Sequence, residues 1–255
     1  LGIGDTDFRL DGWLQQSGSG MDMDLDLSSS EGSLGAMLAL LPKGMLKSLT
    51  GLESKGKFRT EVSAKGRYSS RSMPAIEATV KLDDGRITTD MLREPLKDVS
   101  FEAHFTNGKE RHARTSIFEL RNFKGYFNKD WVEMELGIAN FDNMLIDFKM
   151  NGAMPVDAAL DFFSHPSITR GGGEVEFRNV AVKGRYNDMI RSSRVSKVDM
   201  RGDIIFDDAM LEINKQKLIM DRGELLFDGN TVSIESIHLE GPDTDIEFEG
   251  MAQNF

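Results

Sequence analysis

Asp22, Asp24 and Asp26 occupy alternate positions of the stretch MDMDLDL (Met21 to Leu27), the spacing at which a calcium loop presents its first oxygen ligands. Such a loop needs glycine at its sixth position and a bidentate glutamate at its twelfth, and here those places hold Leu27 and Ser33. Met21, Met23, Leu25 and Leu27 alternate with the aspartates, which favours an extended strand with one apolar and one acidic side. The acidic triplet therefore reads as a solvated strand face. Four histidines, His104, His112, His165 and His238, show no metal-ligand spacing and no Glu-framed helix motif. Gly18-Ser19-Gly20 and Gly171-Gly172-Gly173 are not followed by a phosphate-binding helix, and each precedes a strand, so both are expected to be hairpin loops or hinges. There is no G-x-S-x-G, and no Ser, His and acid set that the sequence assembles. The expectation is a protein that is not an enzyme and uses no cofactor and no metal.

Two compositional features bear on ligands. Arg185, Arg191, Arg194 and Lys197 form a basic, Ser/Arg-rich interval that is either a solvated loop or a surface for anionic headgroups and lipopolysaccharide phosphates. Fifteen methionines suit surfaces that accept variable apolar ligands, and serve ordinary core packing equally well. With 31 Lys and Arg against 42 Asp and Glu, the formal net charge is -11, which repels a nucleic-acid backbone. Cysteine is absent, so disulfides, thiolate metal sites and cysteine nucleophiles are excluded. The 255 residues suffice for one large β domain or two smaller ones, and no run of eighteen apolar residues crosses a bilayer. Opening on LGIGDTDF and stopping at AQNF, the chain reads as an excerpt of a longer protein, with any anchor outside it.

The elements that position these residues are mostly strands. Period-two alternation marks Asp7 to Leu14, Met21 to Leu27, Gly56 to Tyr68, Pro74 to Leu82, Gly85 to Thr89, Val99 to Phe105 and Ala113 to Phe123. It continues through Trp131 to Phe141, Leu145 to Gly152, Gly171 to Tyr186 and a closing series of short strands to Gly250. Asp84-Gly85 and Asn107-Gly108 are the hairpin dipeptides. Leu34, Met37, Leu38, Leu41, Met45 and Leu49 follow the helical period, with Pro42 opening a second short helix, and Pro155 to Phe163 forms another.

A strand ending Lys-Gly-Arg-Tyr follows a Pro-containing helical stretch twice, at Lys65–Tyr68 and Lys183–Tyr186. The chain is read as two copies of a strand-strand-helix-strands unit, residues 1–128 and 129–255, with a boundary near Gly125 to Asp130.

These segments resemble the AsmA-like family of the Gram-negative envelope, in its C-terminal region. The residues that carry the likeness are LALLPKGMLKSLTGLESKGKF (Leu38 to Phe58), MNGAMPVDAALDFF (Met150 to Phe163), the strand GGGEVEFRNVAVKG, and the closing GDIIFDDAMLEI and GELLFDGNTVSIESIHLEGPDTDIEFEG. The resemblance implies a mainly β fold: an elongated, curved, mostly antiparallel sheet forming an open, taco-like groove, as in bridge-like lipid transfer proteins. It implies a periplasmic protein, anchored in the inner membrane through a segment outside this excerpt, that serves phospholipid transport and outer-membrane biogenesis with possible envelope protein partners.

The expected function is non-enzymatic: a β-groove that binds phospholipid or another acyl lipid. The candidate lining residues lie on alternate strand positions: Val99, Phe101, Ala103, Phe105, Met134, Leu136, Ile138, Ile146, Phe148, Ile204, Phe206, Leu225, Phe227, Ile246 and Phe248. Some of them must belong to closed core instead. The alternative is an envelope scaffold whose apolar face is covered by helices and partner protein and binds no lipid. A carbohydrate-binding or hydrolytic β-protein is a weaker reading, since only two Trp and three Tyr are present.

Overall fold

Side chains that alternate in polarity put the whole apolar set of a strand on one face, and register then aligns the faces of neighbouring strands. A computed structural model describes residues 2–3, 6–30, 53–88, 94–162, 168–242 and 244–253. The protein is mainly β: among the described residues 77% lie in strands and there are two short helices.

A small ladder of β1 (Gly2–Ile3) and β2 (Thr6–Asp7) precedes the main sheet. The sheet has 13 strands in strict chain order, antiparallel and not closed. These are β3 (Arg9–Ser17), β4 (Gly20–Ser29), β5 (Glu53–Tyr68), β6 (Ala75–Thr88), β7 (Leu96–Thr106), β8 (Ile117–Phe127) and β9 (Asp130–Ala139). They continue as β10 (Leu145–Pro155), β11 (Ile168–Arg185), β12 (Asp199–Ile213), β13 (Gln216–Gly229), β14 (Thr231–Gly241) and β15 (Thr244–Gln253). Helix α1 (Val156–Phe162) joins β10 to β11, and α2 (Tyr186–Met189) with a 3-10 segment (Ser192–Lys197) joins β11 to β12. The chain divides into two compact units. The first comprises Leu1–Asp90, Pro95–Gly125 and Glu135–Leu145; the second comprises Met91–Glu94, Tyr126–Met134 and Ile146–Phe255.

Several expected breaks are absent. Asp84-Gly85 does not turn the chain: Ala75–Thr88 is one strand, and Asp84 (φ 52°) sits in a bulge where the register with β7 shifts between Leu82 and Gly85. The left-handed conformation that Asp tolerates in a turn serves a bulge as well, which keeps Leu82 and Gly85 on one face despite the extra residue. Asp208 (φ 44°) does the same within β12, so the segments expected as separate strands, Asp199 to Asp208 and Ala209 to Ile213, are continuous. Gln216–Gly229 is likewise one strand.

Gly171-Gly172-Gly173 is not a hinge or loop either. All three lie inside β11, and Gly171 leaves room for α1: a Cβ there would stand 2.6 Å from Val156 Cγ1 and 2.9 Å from Leu160 Cδ1.

Other turns fall where expected. Gly18 (φ 62°) and Ser19 connect β3 to β4. Asn107, buried, fastens the connection after β7: its Nδ2 donates to the Pro74 carbonyl at 2.8 Å, and its Oδ1 accepts from the Ile76 amide at 2.9 Å. Thr115 Oγ1 closes the far side of this loop by donating to the Asn107 carbonyl at 2.8 Å. The expected helix at Pro155 to Phe163 is α1, while the helical segment expected between Ser33 and Leu49 lies outside the described residues.

Candidate apolar ligand surface

In the first unit, register collects one apolar face. Leu10 lies opposite Leu27, which lies opposite Val62, and Val62 lies opposite Ala78, which faces Phe105. A parallel row runs Phe58, Leu82, Phe101. Three ring contacts extend it: Phe101 meets Phe58 edge-on at 6.4 Å, stacks on Phe123 at 6.2 Å, and Phe105 meets Phe141 edge-on at 6.0 Å. Phe58, Leu82 and Val99 are completely buried, whereas Phe101, Ala103 and Phe105 are half-buried. The structure therefore assigns Val99 to closed core. Leu136 and Ile138 of β9 are half-buried as well.

In the second unit a second apolar face is built the same way. Ile204 lies between Phe177 and Leu225, Phe206 between Val175 and Gly223, and Leu225 opposite Ile234. Phe227 lies opposite Val232, Phe248 opposite Ile237 and Ile246 opposite Leu239. Ile204, Phe206, Leu225, Phe227 and Ile246 are half-buried, and Phe248 is 46% exposed. Met134 in β9 and Ile146 and Phe148 in β10 are half-buried, next to the fully enclosed Val132 and Met150 of the same strands.

Sequence reading passed over several residues that share these faces: Val62, Ala64, Ile76 and Ala78 in the first unit, Val232, Ile234, Ile237 and Leu239 in the second. Alternation was visible in each, but the pairing that aligns them is long-range and leaves no local signal.

The opposite face carries charges, paired across strands. Lys65 Nζ stands 3.2 Å from both Asp24 and Asp26, and Arg67 lies 3.8 Å from Asp22. The three aspartates thus form a row along β4 that cations of β5 answer. The hydrogen bonds that Lys65 donates to Asp26 and Asp24 raise its pKa. Lys81 pairs with Glu102 at 2.9 Å, and its hydrogen bond holds the Glu102 carboxyl below its ordinary range. In the second unit Lys183 pairs with Asp147 across strands at 2.7 Å, and Arg178 pairs with Glu176 within β11 at 2.7 Å. Glu174 is shifted upward, chiefly by burial and then by the charge of Asp130.

The histidines are dispersed. His104 lies 3.9 Å from Glu119, His112 lies 2.8 Å from Glu110, and His238 Nε2 is 2.6 Å from Asp245. His165 lies outside the described residues. No group of three His, Asp or Glu side chains that could hold a metal occurs among the described residues. In the basic interval Arg194 pairs with the largely buried Asp188 at 3.4 Å, while Arg191 and Lys197 are exposed. A pocket of about 430 Å³ lies at the end of β4, lined among others by Phe8, Arg9, Ser29, Arg59 and Thr60. Among the described residues no helix is long and apolar enough to cross a membrane.

The chain matches no protein-family model, no curated protein and no solved structure. The likeness to the AsmA-like family stands on the sequence pattern alone.

Proposed function

We propose that this chain is a non-enzymatic, periplasmic segment of an elongated, curved β-groove, built from two repeats, that binds lipid acyl chains and contributes to phospholipid transport or outer-membrane assembly. One observation carries the reading: within each unit the strands align an apolar face, on which Phe101 and Phe105 of the first unit, and Ile204, Phe206, Leu225 and Phe227 of the second, are only half-buried. Contiguous apolar surface left partly open to water marks a place where another apolar body docks. An acyl chain laid there gains about 25 cal/mol for each Å² of apolar surface removed from water, without any covalent step. The charged face stays in water, so a lipid has one side on which to bind.

The partner in this reading is a phospholipid or other acyl lipid. Attachment to the inner membrane is assigned to a segment outside this excerpt, following the AsmA-like resemblance. The test is native mass spectrometry of the chain purified from Gram-negative cells, combined with uptake of a fluorescent phospholipid. Co-purifying lipid released by mild activation, and saturable uptake, are the expected results. A chain that carries no lipid and takes none up is instead the scaffold whose apolar face a partner protein covers.

A further inference from the structure

The loop that follows β7 holds one cationic side chain in a fixed place. Residues 107–116 read NGKERHARTS, and their turns bond to one another. The Arg111 amide donates to the Gly108 carbonyl at 3.2 Å, and the Thr115 amide and Ser116 Oγ both donate to the His112 carbonyl, at 3.0 and 3.1 Å. The β9–β10 connection braces the loop, since the Phe141 amide donates to the Ala113 carbonyl at 2.8 Å. Phe141 in turn meets the ring of Phe105, so the loop stands at the open end of the first unit's apolar face.

Arg111 has a backbone conformation that its side chain does not favour. Ten described residues other than glycine have positive φ, and eight of them are Asp or Asn, which tolerate it; Arg111 (φ 59°) and Lys215 are the exceptions. Strain of this kind collects at ligand clamps and active sites. Here it accompanies a guanidinium that lies over Gly66 of β5, where a Cβ would stand 2.9 Å from Arg111 Nη1. Gly66 shares the alternate positions of Val62 and Ala64, both half-buried. Such positions repeat every ~6.8 Å, so a cation stands one step beyond Ala64 at the end of an apolar row.

Arg111 is exposed and makes no ion pair among the described residues, and the same holds for Lys109 and Arg114. Glu110, the acid of this loop, is held by His112 at 2.8 Å. In a chain of net charge -11, the loop is a local excess of positive charge.

We propose that Arg111 binds the phosphate of an acyl lipid whose chain lies on Val62 and Ala64, with Lys109 and Arg114 adding attraction at longer range. This inference rests on the acyl-lipid reading of the apolar face. A guanidinium presents its donors in a planar fork that matches two oxygens of a phosphate, and here no carboxylate has to be displaced from it first. The loop is exposed and does not enclose a small anion, so the apolar row supplies the remainder of the binding. The lipid is thereby given a direction, with its head at the loop and its chain towards Val62.

The experiment titrates the full chain with short-chain phosphatidylglycerol and with diacylglycerol, both carrying the same fluorescent acyl label. Phosphatidylglycerol is expected to bind about fivefold tighter, the worth of one exposed charge pair. Arg111→Asn removes the cation and leaves a residue that tolerates positive φ, so the unfolding temperature is expected to hold or rise. The preference for phosphatidylglycerol should disappear in this variant while the affinity for diacylglycerol stays as it was. K109Q/R114Q is expected to weaken the preference by a smaller factor. A preference that survives Arg111→Asn overturns the proposal, as does displacement of phosphatidylglycerol by an equal concentration of inorganic phosphate. Equal binding of the two lipids by the parent chain removes the phosphate site alone, whereas binding of neither removes the acyl-lipid reading and this inference with it.

Discussion

Two ends of the same apolar face, both within the first unit, differ in closure although their sequences alternate alike. At one end Phe58, Leu82 and Val99 are wholly buried and Leu96 is 3% exposed. At the other, Val62, Ala64, Ile76, Ala78, Ala103 and Phe105 are all half-buried. The closed end has glycines beneath its large side chains. A Cβ on Gly85 would lie 2.5 Å from Leu82 Cδ2, one on Gly56 would lie 2.7 Å from Leu82 Cδ1, and one on Gly125 would lie 2.9 Å from Leu96 Cδ2. Leu82 and Leu96 therefore lie down on bare backbone, where they make close contact on all sides. Among the described residues, no glycine has the side chains of the open end as its nearest neighbours. The second unit repeats the rule, with Met220 lying over Gly223, and Val156 and Leu160 over Gly171.

The largest expected effect breaks the closed end directly. Leu82→Ala removes a fully buried side chain and leaves a cavity, costing about 2–5 kcal/mol of stability in urea unfolding. Gly85→Val tests the floor itself. Its added methyls meet Leu82, which must leave its seat, and overpacking of this kind costs about 1–3 kcal/mol. If Gly85→Val unfolds at the same urea concentration as the parent chain, the glycine floor does not account for closure.

At the open end the expected signature is reversed. Phe105→Ser removes a half-buried ring and its edge-on contact with Phe141, a contact worth about 0.5–1.5 kcal/mol beyond area burial. The stability loss should fall below that of Leu82→Ala, while uptake of a fluorescent phospholipid should drop several-fold because the polar hydroxyl interrupts the row from Val62 through Ala78. An unfolding midpoint that falls as far as for Leu82→Ala would place Phe105 in closed core and remove the distinction between the ends.

This contrast also separates what the sequence discloses from what it hides. Alternation in Met21 to Leu27 and in Val99 to Phe105 is a local property, and it predicted both the strands and the polar and apolar sides that β4 and β7 present. Asp84-Gly85 misled because a left-handed Asp followed by glycine serves a hairpin turn and a bulge alike, and only the strand across from it decides which. Gly171-Gly172-Gly173 misled for a related reason: a glycine that makes room for Val156 is indistinguishable in sequence from one that gives the chain freedom. Among the fifteen candidate lining residues, alternation gave no means of separating Val99, which is closed, from Phe101 on the same strand, which is half-open. Val99 lies opposite Gly85 and Phe101 opposite Leu82, a difference set by the neighbouring strand.

The smallest expected effect lies where the polar face is least compensated. The hydrogen bond to Asp245 raises the His238 pKa above its ordinary value of 6.5, partial desolvation opposes this, and the charges of Asp245, Glu240 and Glu247 add to the rise. A histidine whose folded pKa exceeds its unfolded one binds its proton more tightly when folded. The stabilisation is complete below the unfolded value and is lost as pH climbs through the folded one. The β14–β15 pair should therefore exchange its amides more slowly, relative to global unfolding, just below pH 6.5 than at mildly alkaline pH. His238 is exposed, so the change should be confined to these strands and weakened by salt. Asp245→Asn removes the main cause and should flatten the pH dependence while leaving the β4–β5 pair, where Lys65 stays charged throughout this range, as it was. A pH response of equal size in β4–β5 would mean that the compensated and uncompensated ends of the charged face do not differ in the way their ion pairs indicate.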